Sequence, residues 1–96
     1  MREIVWTKFA LQDFEQNLIY LNENWEQKVI QKFTLKVEKT IKLIQANPNC
    51  FQKHKRLKCH IVPIMPQITL FYEVVDKKVI LLRFWNNYQN PSMIKL

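Results

Sequence analysis

The 96-residue chain contains no glycine. Phosphate loops and dinucleotide fingerprints are thereby excluded, because both need backbone to approach phosphate at positions without a side chain. Only two cysteines occur, Cys50 and Cys59, neither in a CxxC pair. That spacing supports no disulfide framework or zinc knuckle, and both thiols are expected to be reduced. Acidic residues are scarce, eight against fifteen Lys and Arg, which leaves a formal charge of +7. An acidic partner, either nucleic acid or an acidic protein, is favoured over a basic one. No stretch approaches the roughly 18 consecutive apolar residues of a membrane span; the run 79–82 is bounded by Lys78 and Arg83. The opening MREIVWT carries Glu3 and no long apolar region or small-residue cleavage site, so a cytoplasmic location is the expectation. With no repeat, low-complexity tract or Ser- or Pro-rich linker, residues 1–96 read as one domain.

What is present is 48% apolar and regularly patterned. Residues 3–6 are short, apolar and β-branched, and suit a strand. Thr7 can cap a helix over about 8–22, where Ala10, Leu11, Phe14, Leu18 and Leu21 fall on one side at about 100° per residue. Asn24 with Gln27 resembles a capping box for a second, longer helix. In that helix Val29, Ile30, Phe33, Val37, Ile41 and Ile44 share one face, and Lys28, Lys32, Lys36 and Lys39 are expected on the opposite one, as soluble helices commonly arrange. Pro48 ends it, because the residue before proline disfavours helical dihedrals.

Three β patterns follow, over 59–65, 67–75 and 79–85. Pro63 and Pro66 push the first toward a sheet edge or a bulge. Only residues 76–78 separate the last two, which argues an antiparallel hairpin, although without glycine or asparagine the tightest turns are disfavoured. Ile68, Leu70, Tyr72 and Val74 should face one side of the sheet, and Thr69, Phe71, Glu73 and Val75 the other. The element order is βααβββ, an α+β domain in which a helical hairpin covers one face of a sheet.

The densest chemical signal is Lys53, His54, Lys55, Arg56, Lys58 and His60. Such charge suits phosphate or carboxylate contacts, or forms a solvated loop. Cys50, His54, Cys59 and His60 are poor joint metal ligands, because adjacent strand residues such as Cys59 and His60 face opposite sides. Only two histidines exist, both within the basic segment, with no carboxylate nearby in sequence to orient one as a base. Trp6 and Trp85 lie in strand patterns and are expected in the core, and Trp25 is expected at the interhelical corner. Arg83 stands between Leu82 and Phe84, so it is either paired internally or aimed at a ligand.

The order βααβββ, the strand ending in Trp6-Thr7, the helix with Ala10 and Phe14, Pro48 after the second helix, Leu70-Phe71-Tyr72 and the run LRFWNNYQNP at 82–91 together resemble the RelE/ParE superfamily. The resemblance covers nearly the whole chain. It implies a RelE-like fold with a mostly antiparallel four-stranded sheet, and the growth-inhibiting toxin half of a type II toxin-antitoxin pair. No cofactor and no metal are expected. The partner would be an antitoxin that wraps the toxin in a hetero-oligomer, and an acidic toxin-binding segment would suit the positive charge. RelE-like members cut messenger RNA on the ribosome, with basic residues on the sheet and a tyrosine or histidine near the C-terminus; the candidates here are Arg83, Tyr88 and His60. The basic residue that often precedes the L-x-Y strand piece corresponds to Thr69, which favours the ParE-like branch, whose members inhibit DNA gyrase by binding. Lys53, Lys55, Arg56, Lys58, Arg83 and Tyr88 are the expected contacts to target or antitoxin.

Overall fold

The computed structural model describes residues 2–96. Its elements are β1 (Glu3–Trp6), α1 (Lys8–Asn24), α2 (Gln27–Ala46), β2 (His60–Met65), β3 (Ile68–Val75) and β4 (Lys78–Asn86), followed by a 3-10 turn at Pro91–Met93. This is the expected βααβββ order. The strands form one sheet in the order β1-β4-β3-β2. β1 runs parallel to β4, and the other pairings are antiparallel.

Thr7 starts α1 and fastens it to the sheet. Its Oγ1 accepts the Ala10 N–H at 3.1 Å and donates to the Leu81 carbonyl at 2.7 Å, so one hydroxyl satisfies a free donor at the helix start and joins two elements. At the other end α1 runs further than its apolar pattern indicates. Asn24 lies inside it, with Nδ2 donating to the Tyr20 carbonyl at 2.9 Å. The capping box does not form: Glu26 occupies the N-cap of α2 and makes no side-chain cap bond. Trp25 is also not a packed corner residue, its side chain being 46% exposed.

The helices cover one face of the sheet. Phe33, Val37 and Ile44 of α2 and Ala10 and Leu21 of α1 meet Ile68, Leu70, Tyr72, Val79 and Leu81. Phe14 lies edge-on to Phe84 at 5.7 Å and stacks on Phe33 at 5.5 Å, geometries that add to simple area burial. Trp6 stacks on Phe84 at 5.4 Å but stays 37% exposed, so it rims the core and does not fill it. A second, smaller cluster on the other face of the sheet contains Cys59, Phe71 and Trp85, with Leu57, Leu82 and Ile94 against it. Trp85 is thus buried, but outside the main core.

Two local features depart from the patterns. Of the α2 lysines expected opposite the core, Lys32, Lys36 and Lys39 line a groove with Ile64, Met65 and Pro66. At about 100° per residue Lys32 and Lys36 lie roughly a third of a turn from Phe33 and Val37, on the flank nearer β2, whereas Lys28 and Lys39 turn further toward the side away from the core. The β3–β4 connection is a two-residue hairpin despite its composition, since Val75 pairs with Lys78. Asp76 takes φ 54°, a left-handed conformation that aspartate tolerates better than most residues.

Candidate functional site

Arg83 is positioned by a bulge. In the β3–β4 ladder Phe71 pairs with Arg83 but Tyr72 pairs with Leu81, which leaves Leu82 without a partner. Strict alternation from Val79 and Leu81 would aim Arg83 into the core. The extra residue reverses the phase, so Phe84 enters the main core and Trp85 joins the cluster on the outer face.

β1 ends at Trp6, opposite Leu81, so the last part of β4 has no strand neighbour on that side. Side chains of α1 take the strand's place. Asp13 Oδ2 accepts the Phe84 N–H at 3.1 Å, and Asn17 Nδ2 donates to the Phe84 carbonyl at 3.0 Å. The same Asp13 holds Arg83 in a bidentate pair, with Nε to Oδ2 at 2.6 Å and Nη2 to Oδ1 at 2.9 Å. Arg83 Nη1 donates to the Lys95 carbonyl at 2.9 Å. The guanidinium lies 5.3 Å from the Phe9 ring centre and 5.2 Å from that of Trp85. With 15% of its side chain exposed, Arg83 is held by these groups while it borders a hollow of about 560 Å³ that Gln12, Gln16, Gln89 and Asn90 also line.

The other candidates lie elsewhere. His60 is 5% exposed and alternates with Val62 and Ile64 toward the helices. Its Nδ1 donates to the Phe51 carbonyl at 2.8 Å, and its ring stacks on Tyr72 at 4.9 Å. Tyr72 in turn donates its hydroxyl to the Pro48 carbonyl at 2.7 Å. Burial, with a smaller contribution from Cys50, pushes the Tyr72 phenol up to about 12. Tyr88 follows the end of β4 and is 73% exposed. β4 ends opposite Ile68, whereas His60 pairs with Tyr72, a separation of about 13 Å of strand. Arg83 and His60 therefore lie on opposite faces of the sheet, and Tyr88 lies beyond its end. Thr69 donates to Asn87 Oδ1 at 3.0 Å.

The basic segment folds into a tight turn. Lys53 forms an isolated antiparallel bridge with His60; the His54 N–H donates to the Cys59 carbonyl at 2.7 Å and the Lys58 N–H to the His54 carbonyl at 2.8 Å. Lys58 adopts φ 57°, where a glycine would be unstrained. Leu57 anchors the turn on the outer apolar cluster. Lys53, Lys58 and His60 share a hollow of about 250 Å³ with Asn49, Glu73 and Val74, so the structure brings these three candidates together. Lys55 and Arg56 are exposed at the tip. Cys59 is buried and points away from His60; burial, reinforced by Glu73, raises its thiol above the ordinary range. Among the described residues no three His, Cys, Asp or Glu side chains converge as metal ligands would.

Asp13, Asn17 and Phe9 were not singled out by sequence reasoning. The available signal was modest: two polar residues four positions apart beside the apolar stripe of α1, in a chain with one arginine inside an apolar strand pattern.

A family model described as the ParE toxin of type II toxin-antitoxin systems, parDE, matches residues 4–91. The chain belongs to this ParE toxin family. No curated protein sequence matches it significantly. Among solved structures, it resembles one described as a chromosomal ParDE toxin-antitoxin system from P. aeruginosa, with 16% identity over 90% of this chain and 96% of that one and a TM-score of 0.73. It is also similar to a YoeB/ParE toxin from Agrobacterium tumefaciens, with 12% identity over 88% and 96% of the two chains and a TM-score of 0.66. A YoeB dimer from Staphylococcus aureus aligns with 21% identity over 88% and 94%, at a TM-score of 0.63. At these identities the structural likeness establishes the RelE/ParE-like fold. No helix is long and apolar enough to cross a membrane among the described residues.

Proposed function

We propose that this toxin arrests growth by binding DNA gyrase and not by cutting RNA, and that a cognate antitoxin with an acidic toxin-binding segment silences it in a hetero-oligomer in the cytoplasm. One observation carries the choice between the two chemistries: the Arg83 guanidinium is taken up by Asp13 and the Lys95 carbonyl. Cleavage of an RNA backbone needs a free cation for the developing phosphate charge beside a proton donor or acceptor. Here Arg83 is occupied, His60 borders the hollow of Lys53 and Lys58 but is 5% exposed with its Nδ1 bonded to the Phe51 carbonyl, Thr69 supplies no charge, and Tyr88 stands apart. A protein contact surface has no such requirement. Its solvent-facing components are Lys53, Lys55, Arg56 and Lys58, which we assign to contact with target or antitoxin, together with exposed Tyr88. Arg83 shapes that surface through Trp85 and Phe9.

A purified gyrase assay tests this directly. Added protein is expected to stop supercoiling while transcripts on ribosomes stay intact. Undisturbed supercoiling together with cleaved ribosome-bound transcripts would overturn the binding mechanism in favour of an endoribonuclease.

A further inference from the structure

Beyond the end of β1, a cleft follows the uncovered edge of β4 between α1 and the C-terminal segment. Its larger compartment, of about 560 Å³, has Phe9 and Met93 in its walls. A smaller one of about 130 Å³ reaches Tyr20 and Asn86, and the two share Asp13, Gln16, Trp85 and Gln89. Phe9 is 52% and Met93 68% exposed, so apolar surface stands open to solvent there. Trp85 is only 6% exposed, and its Nε1 is buried with no hydrogen-bond partner. A buried donor without an acceptor is costly, and here it belongs to a ring that borders both compartments. The charges of the cleft largely cancel: Arg83 is paired with Asp13, and Lys95 is the one other charged residue in its lining. Around that pair stand the side-chain amides of Gln12, Gln16, Gln89 and Asn90.

We propose that this cleft binds a neutral, hydroxyl-rich ring of monosaccharide size, with a C–H face on Phe9 and Met93, hydroxyls on the glutamine amides and an acceptor oxygen on Trp85 Nε1. Apolar walls with a few convergent polar groups are the usual make-up of a small-molecule site. Each hydroxyl both donates and accepts, which matches a rim of amides that carry both kinds of group. A phosphate or carboxylate ligand is disfavoured, because Arg83 is already held by Asp13 and the Lys95 carbonyl and has no free fork for bidentate recognition. A nucleobase is disfavoured for a different reason. The guanidinium lies 5.3 Å from the Phe9 ring centre and 5.2 Å from that of Trp85, so it occupies the space between the rings where a base would stack. A saturated ring needs a single aromatic face, and half-exposed Phe9 supplies one. The assignment rests on no reading of the toxin's target or antitoxin.

The indole N–H of Trp85 reports binding directly, because its proton resonance moves when the group gains an acceptor. The full chain, isotope-labelled for proton–nitrogen correlation spectra, is titrated with glucose and with N-acetylglucosamine. At least one of the two should move this resonance saturably, with a dissociation constant of about 1 mM. The pair Gln16→Ala, Gln89→Ala should weaken binding at least about fivefold, whereas Gln27→Ala with Gln31→Ala, the same change on α2, should leave it within about twofold. All four glutamines are exposed, so neither pair disturbs the core. Adenosine and inorganic phosphate are the competing probes. A Trp85 resonance that neither sugar moves at roughly 100 mM, or that adenosine or phosphate moves at a lower concentration than the sugars do, would overturn the assignment. Equal weakening by the two glutamine pairs, or none by either, would place the sugar outside the cleft and overturn it as well. Supercoiling and growth arrest are separate readouts, so this site and the proposed function can each fail without the other.

Discussion

Arg83 at the end of β4 and the cations of the turn before β2 make an instructive pair. Arg83 has a carboxylate, a carbonyl and two aromatic rings around it. Lys55 and Arg56 have no hydrogen-bonded or ionic partner among the described residues and stand in water. The difference comes from the sheet. β1 stops beside Leu81, so the rest of β4 must find partners for its backbone in α1, and the carboxylate that supplies one of them also captures the neighbouring guanidinium. The turn is held through its backbone and Leu57, which leaves its charges solvated and available. One cation organises the fold, and the others offer contacts.

Removing Asp13 is the most severe way to break that contrast. Asp13→Ala should strand the Arg83 charge and the Phe84 N–H together and cost about 3 kcal/mol, at the low end for a buried pair because both side chains retain some exposure. Urea denaturation would read this; a change below about 1 kcal/mol would mean Arg83 is not a structural residue. Tyr72→Phe is next, at about 1–2 kcal/mol for the lost bond to the Pro48 carbonyl. Tyr72 also has a pH signature. Its folded pKa lies at about 12 against an ordinary 10, so the folded chain keeps a proton that the unfolded chain releases. Stability present below pH about 10 should fall between about 10 and 12, and Tyr72→Phe should flatten that decline.

The paired substitutions Lys55→Glu and Arg56→Glu sharpen the other side of the contrast. Stability should move by no more than about 0.5 kcal/mol, whereas affinity for antitoxin or gyrase should drop about tenfold. Unchanged affinity for both would make the turn a solubility feature. The smallest expected effect is a gain. Lys58→Gly should relieve the left-handed backbone and raise stability by roughly 0.5–1 kcal/mol, readable as a higher thermal midpoint. No gain would mean that the wider freedom of glycine in the unfolded chain offsets the relief.

Much of the fold was legible residue by residue. The apolar spacing of α2 marked its buried face, Thr7 and Pro48 marked where helices begin and end, and Pro63 and Pro66 marked β2 as an edge or bulged strand; it is both. Legibility failed where one residue could satisfy two local rules. Asn24 can cap α2 or continue α1, and the structure uses it in α1. The α2 lysines suit any polar flank, so their period could not distinguish the face opposite the core from the face beside β2. For the candidate site, basic residue types were visible, and Arg83 was recognised as either paired or available; its partner was not visible, because Asp13 is 70 positions away in sequence.

Composition and periodicity by themselves determined the α+β class, the positive charge, the exclusion of glycine-dependent phosphate loops, and which faces of helices and strands are apolar. Tertiary structure alone decided that Leu82 bulges, that Arg83 consequently points outward into the grip of Asp13, and that His60 and Arg83 lie on opposite faces. Local patterns record which side chains avoid water. A bulge and a strand that ends early change which side chains meet, and those depend on how distant segments are aligned in the sheet.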